Sequence, residues 1–191
     1  MQLSVNGKQV DVGDALRSHI EETLPLSVGK YFDHSTDGQV TVTKVNSGFR
    51  VDIQVHVGKR VLVQGQGNTG DAYSAYEEAL EHVTKRLRRY KRRLRDHKGR
   101  PQTGEILPAL QYVLQAEPET HEEPEGDQPI IVAEMPAEIE TMSVGEAVMR
   151  MDLANVPAML FRSSKHGGLN LVYQRQDGNI GWVDPEIPSG A

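Results

Sequence analysis

No cysteine occurs anywhere in this chain of 191 residues. Disulfides and thiolate chemistry are therefore excluded, and the absence fits a reducing compartment. Aromatic residues are scarce, at 5%, and only 37% of residues are hydrophobic. So little apolar material suits two modest cores better than one large one. No apolar run approaches the roughly 20 residues needed to cross a bilayer as a helix. The opening MQLSVNGKQVDVGD has no basic-then-apolar leader. The expectation is a soluble cytoplasmic protein with no membrane partner.

Positive charge is missing from a long central window. Between Arg100 and Arg150 there is no Lys or Arg. That window holds EPETHEEPEGDQP, residues 117–129. Such a segment buries too little apolar surface to offset the entropy of ordering it, and prolines and like charges extend it. Residues 97–129 are read as a flexible acidic linker. Within it, an apolar patch from Ile106 to Leu114 is expected to dock weakly at most. The linker separates a first domain, 1–96, from a second, 130–191.

The missing cations are concentrated just before the gap. The run KRLRRYKRRLRDHKGR, residues 85–100, holds ten Lys or Arg of the chain's 21, in a protein whose formal net charge is -6. Lys85, Arg86, Arg88, Arg89, Lys91, Arg92, Arg93 and Arg95 fall on about three turns of a predicted helix. Its apolar residues Tyr73, Tyr76, Leu80, Val83, Leu87, Tyr90 and Leu94 step by 3 and 4, which makes one continuous stripe. Asp71 is the predicted N-cap. Glu77, Glu78 and Glu81 precede the cations, in keeping with the helix dipole. A solvated helix face is the bland explanation of such a run. Like charges packed this densely repel one another, and arginine forks pair two phosphate oxygens at once. The reading adopted is contact with nucleic acid. Tyr90 either packs inward or stacks on a base.

The rest of the first domain reads in order. Gln2 to Asn6 suits a short strand. Asp14 is a predicted cap for a helix in which Leu16, Ile20 and Leu24 share a face. Pro25 and Gly29 are expected to interrupt or kink it. VTVTKV (40–45), FRVDIQVHV (49–57) and RVLVQGQG (60–67) are strands, the last two joined by a Gly58-Lys59 turn. The fold class is α+β: a β-α-β-β-β-α domain, a sheet with two helices on one face, followed by a small α+β domain. In the second domain IIVAEM (130–135) is a strand, and Ser143 to Glu146 has capping-box spacing and opens a helix. AMLFRS, LNLVYQR and NIGWVD are three more strands, with a turn at Asp177-Gly178. Phe161, Tyr173 and Trp182 are a large aromatic share for so small a unit, which suggests self-association.

Signals for catalysis are poor. The seven histidines have no metal-ligand spacing, and His56 is expected to be simply exposed on the polar side of its strand. Gly65, Gly67 and Gly70 imitate a phosphate loop but lack its Lys-Ser/Thr ending. No cofactor, no metal and no enzymatic activity are expected.

Taken together, the domain order, the Lys/Arg-rich helix end, the charged linker, the Met142–Ala147 helix opening (MSVGEA) and the Val172–Gly181 hairpin (VYQRQDGNIG) carry a resemblance. The chain resembles the long-form ribosome hibernation promoting factors, also called the ribosome-associated inhibitor or sigma-54 modulation protein family, over nearly its whole length. The resemblance implies that the first domain sits on the small ribosomal subunit and its rRNA, in the channel for messenger and transfer RNA. It implies that Lys85 to Arg95 face that RNA. It also implies a homodimer through the second domain that pairs two inactive ribosomes, with Phe161, Val172, Tyr173, Ile180 and Trp182 at the dimer face. A general RNA-binding or RNA-chaperone module without ribosome specificity is the alternative reading.

Overall fold

The computed structural model describes residues 1–32, 35–57, 61–96, 105–115 and 130–185. The first domain is built from β1 (Gln2–Lys8), α1 (Asp14–Gly29), β2 (Ser35–Val45), β3 (Gly48–Val57), β4 (Val61–Thr69) and α2 (Ala72–Asp96). The strands form one sheet in the order β1-β2-β3-β4. The β1–β2 pair is parallel and the other two are antiparallel. Both helices lie on one face, as the β-α-β-β-β-α reading requires. Strict alternation in β3 sends Val51, Ile53, Val55 and Val57 under the helices, and all four are buried. From α1, Leu16, Ile20, Leu24 and Val28 meet them.

Two local expectations change. Helix α1 runs unbroken through Pro25 to Gly29. Proline removes one backbone bond, at a cost of about 3 kcal/mol, but Leu24 and Val28 are fully buried on either side and hold the helix to the sheet. Its N-cap is Gly13 with no side-chain cap, and Asp14 is the first helical residue. The expected turn at Gly58-Lys59 lies outside the described residues. At α2 the expectation holds: the Ser74 backbone N–H donates to Asp71 Oδ2 at 2.8 Å.

Gly65 and Gly67 have a structural role. A Cβ on Gly65 would sit 2.5 Å from the Ala79 carbonyl oxygen, and one on Gly67 would run into that of Ala75. Their lack of a side chain lets α2 lie directly on β4. The phosphate-loop imitation is thereby explained as close helix–sheet packing.

Strand pairing reaches into the stretch expected as linker. Residues taken as linker form β5 (Ile106–Leu114), which pairs antiparallel along its length with β6 (Ile131–Met142). The expected linker residues 97–104 and 116–129 lie outside the described residues. Then come α3 (Val144–Ala154), β7 (Ala158–Ser163), β8 (Leu169–Gln174) and β9 (Ile180–Val183). The sheet order is β5-β6-β7-β8-β9. Ser143 caps α3 as predicted, its Oγ accepting from the Glu146 N–H at 3.2 Å. Gly178 takes φ 82° in the β8–β9 turn, a conformation that favours glycine. A small core of Met142, Ala147, Met151, Phe161 and Val172 fills this domain. Arg150 bridges α3 to β6, bonding Glu140 and Glu146 at 2.7 Å each. Burial alone would lower its pKa, but the bond to Glu140 and the two carboxylate charges raise it.

Candidate nucleic-acid interface

The apolar stripe of α2 fixes where its cations point. Tyr76, Leu80, Val83, Leu87 and Tyr90 are buried against the sheet and α1. Tyr73, at the start of the stripe, stays largely exposed beside His19. Tyr76 is held by its hydroxyl, 2.7 Å from Thr23 Oγ1, and burial pushes its pKa up to about 12. Tyr90 packs inward on Phe32, ring centroids 5.5 Å apart, so it is not a base-stacking platform.

The cations occupy the remaining surface of the last three turns. Lys85, Arg88, Arg89, Lys91, Arg92, Arg93 and Arg95 are exposed, and Arg86 is half-buried. Lys91 Nζ reaches the Lys30 carbonyl oxygen at 3.3 Å. Among the described residues, no hydrogen bond or ion pair holds Lys85, Arg88, Arg92, Arg93 or Arg95. Five unneutralised cations on one helix end form a field that favours a polyanion. Arg86 and Arg89 differ. Arg86 Nη1 donates to the Gln64 carbonyl oxygen at 2.6 Å and Nη2 donates to Asn155 Oδ1. Burial lowers the Arg86 pKa, with Asp152 opposing the shift. Arg89 Nη2 lies 3.3 Å from the Asp152 carboxylate.

Those two contacts come from the second domain, and the sequence reading missed them. Helix α3 packs against β4 and α2, and its Leu153 is buried in the first domain's core. A signal was present: α3 is apolar on two sides, Ala147 and Met151 on one, Met149 and Leu153 on the other. A helix with two apolar sides is wedged between two bodies.

The expected dimer residues divide by strand face. Phe161 and Val172 are fully buried under α3 and belong to the core. Cross-strand register puts Trp182 opposite Val172, on the same side but beyond the cover of α3, half-exposed. Its Nε1 donates to Asn170 Oδ1 at 2.8 Å. Ile180 lies on that side too and is exposed. Tyr173 alone of the five faces the opposite side, over Gly181, with Leu160, Leu169, Leu171 and Val183 around it.

His56 is exposed, as expected, and its Nδ1 also meets Asp37 Oδ2 at 2.8 Å. Among the described residues no cluster of His, Asp and Glu could hold a metal ion, and no helix is long and apolar enough to cross a membrane.

Known proteins agree with this architecture. The sequence model for sigma 54 modulation protein / S30EA ribosomal protein matches residues 3–95, and that for the family's C terminus matches residues 126–181. Strand β5 falls between the two matches. The ribosome hibernation promotion factor of Bradyrhizobium diazoefficiens is 38% identical, over 97% of this chain and 95% of that protein. Its counterpart in Rhizobium meliloti is 41% identical, over 96% of this chain and 97% of that protein. The ribosome hibernation promoting factor of Azotobacter vinelandii is 29% identical over 48% of this chain, a stretch that spans 83% of that protein. Two domain matches in order, and relatives that align from end to end, make this chain a member of the sigma 54 modulation protein / S30EA ribosomal protein family, in its two-domain form.

Proposed function

We propose that this chain is a ribosome hibernation factor: its first domain binds the small ribosomal subunit in the messenger and transfer RNA channel and blocks translation. The observation that carries the proposal is the cluster of exposed, unneutralised cations at the end of α2. The full-length relatives called ribosome hibernation promotion factors favour the ribosome over RNA in general. Inhibition is by occupancy. A domain seated on rRNA phosphates excludes the RNAs that need the same space, and no bond is made or broken. The site of action is the cytoplasm.

The second domain supplies the pairing of ribosomes by forming a homodimer. A two-fold interface needs one self-complementary patch. The open side of β7-β8-β9, with Tyr173, Leu160 and Val183, is suited to that, and Ile180 and Trp182 flank it on the other side. Phe161 and Val172 support the interface only from within the core. Sucrose gradients of purified ribosomes, with and without the protein, test both parts. The expected result is a shift of ribosomes into paired particles, abolished by Tyr173→Asp while binding to the small subunit persists. Gradients unchanged by the intact protein would contradict the proposal.

A further inference from the structure

The geometry points to an autoinhibitory clasp: α3 holds the chain closed and masks the first two arginines of one tail face from RNA. This inference rests on the reading of the α2 tail as the RNA interface. Three observations carry it. Leu153, 1% exposed, inserts from α3 into the core of the first domain, with Met149 beside it. The acceptors Asn155 Oδ1 and Asp152 then meet Arg86 and Arg89, which stand three residues apart on one side of α2. Asn155 is positioned by the helix end itself, since it takes the left-handed φ of 52° that closes α3. The latch is therefore built from a helix terminus, with its acceptors aimed at phosphate-binding groups.

Charge favours the same closure. Residues 1–96 carry 15 Lys and Arg against 12 Asp and Glu, whereas the described residues 105–115 and 130–185 carry 4 against 8. Those described residues make an acidic body beside a basic helix. An RNA phosphate that approaches Arg86 or Arg89 must displace Asn155 or Asp152, and the second domain beside the tail obstructs the approach. The closed state is also reversible. Its ionic contact is exposed: Arg89 and Asp152 side chains are 45% and 40% accessible. Among the described residues Arg86 Nε is buried with no partner, an unfavourable feature that opening relieves. RNA thus competes with an internal carboxylate and amide, and binding to the subunit releases the second domain to find another copy.

The chain has no cysteine, so two introduced ones report without interference. Spin labels at Glu21→Cys and Lys165→Cys, both exposed, span the two domains. Labelled chains are diluted into excess unlabelled protein so that only distances within one chain are read. The expected result is one narrow distance in the free protein, which broadens on adding purified small ribosomal subunits. Asp152→Ala with Asn155→Gly removes both acceptors and keeps the left-handed turn. Leu153→Glu removes the apolar plug independently. Both variants should give a broad distribution without subunits and bind subunits roughly three- to thirtyfold more tightly, because less of the population is closed. A broad distance in the free wild type, a narrow one that survives on the subunit, or variants that bind no more tightly would each overturn the clasp. Arg88→Glu with Arg92→Glu separates the two readings. If it leaves subunit binding intact, the RNA assignment fails, and the label distance still decides whether the clasp exists.

Discussion

Leu87 and Arg88 are neighbours in the basic run, yet substitution should act on them in opposite ways. Leu87 is fully buried beneath the sheet-facing side of α2. Its truncation to alanine deletes buried carbons and leaves a cavity between α2 and the sheet. That change costs roughly 2–5 kcal/mol. Spread over a domain of this size, each 1 kcal/mol lowers Tm by roughly 4–8 °C, so a fall of roughly 8 °C or more is expected. Arg88, exposed and without a partner among the described residues, should cost less than about 0.5 kcal/mol as alanine. Thermal melts of the full chain followed by circular dichroism measure the first effect. Subunit binding below both melting transitions measures the second, where Leu87→Ala should bind normally and Arg88→Ala should bind more weakly. Equal melting temperatures for the two variants would refute the orientation of the whole helix.

Three further outcomes follow from particular contacts. Gly67→Ala should push α2 off β4 through collision with the Ala75 carbonyl, costing about 1–3 kcal/mol, whereas Gly70→Ala, with open space around it, should not lower Tm through packing. Arg150→Ala strands Glu146 in a mostly buried site and takes an ion pair from Glu140, and should cost about 3–5 kcal/mol by urea titration. Asp71 has its pKa lowered, chiefly by the Ser74 backbone N–H. Its capping contribution is therefore present above its ordinary value of 3.8 and lost as pH falls through the lower folded value. Asp71→Ala should lower Tm at pH 7 and leave a smaller difference from wild type near pH 2; an unchanged gap would show that the carboxylate charge is not what caps α2.

Much of this was legible in the sequence because it is local. The 3-4 stepping of Tyr76, Leu80, Val83, Leu87 and Tyr90 needs only one helix to be interpreted, and it fixed the cations' side at once. The caps at Asp71 and Ser143 are likewise decided within four residues. What was missed is non-local. Strand β5 contains Pro108 and sits in a stretch without cations, and only its pairing with β6 makes it a strand. Pro25 was read by its usual effect, while burial of Leu24 and Val28 on both sides overrode it. The resemblance implies Phe161 and Val172 at the dimer face, and alternation alone does not say which face of their strands a helix covers. Leu153 had the same ambiguity, and its partner core lies in the other domain.

Binding of the purified protein to purified small ribosomal subunits tests the central claim most directly. Wild type is compared with Arg88→Glu, Arg92→Glu and Arg93→Glu combined, three cations that no described residue neutralises. Co-sedimentation is followed across a salt series, since each phosphate contact adds roughly 0.7–0.9 to the slope of log affinity against log salt. The account predicts steep salt dependence for the wild type and loss of binding by the triple variant, with an unchanged melting temperature. Undiminished co-sedimentation of a folded triple variant would contradict it.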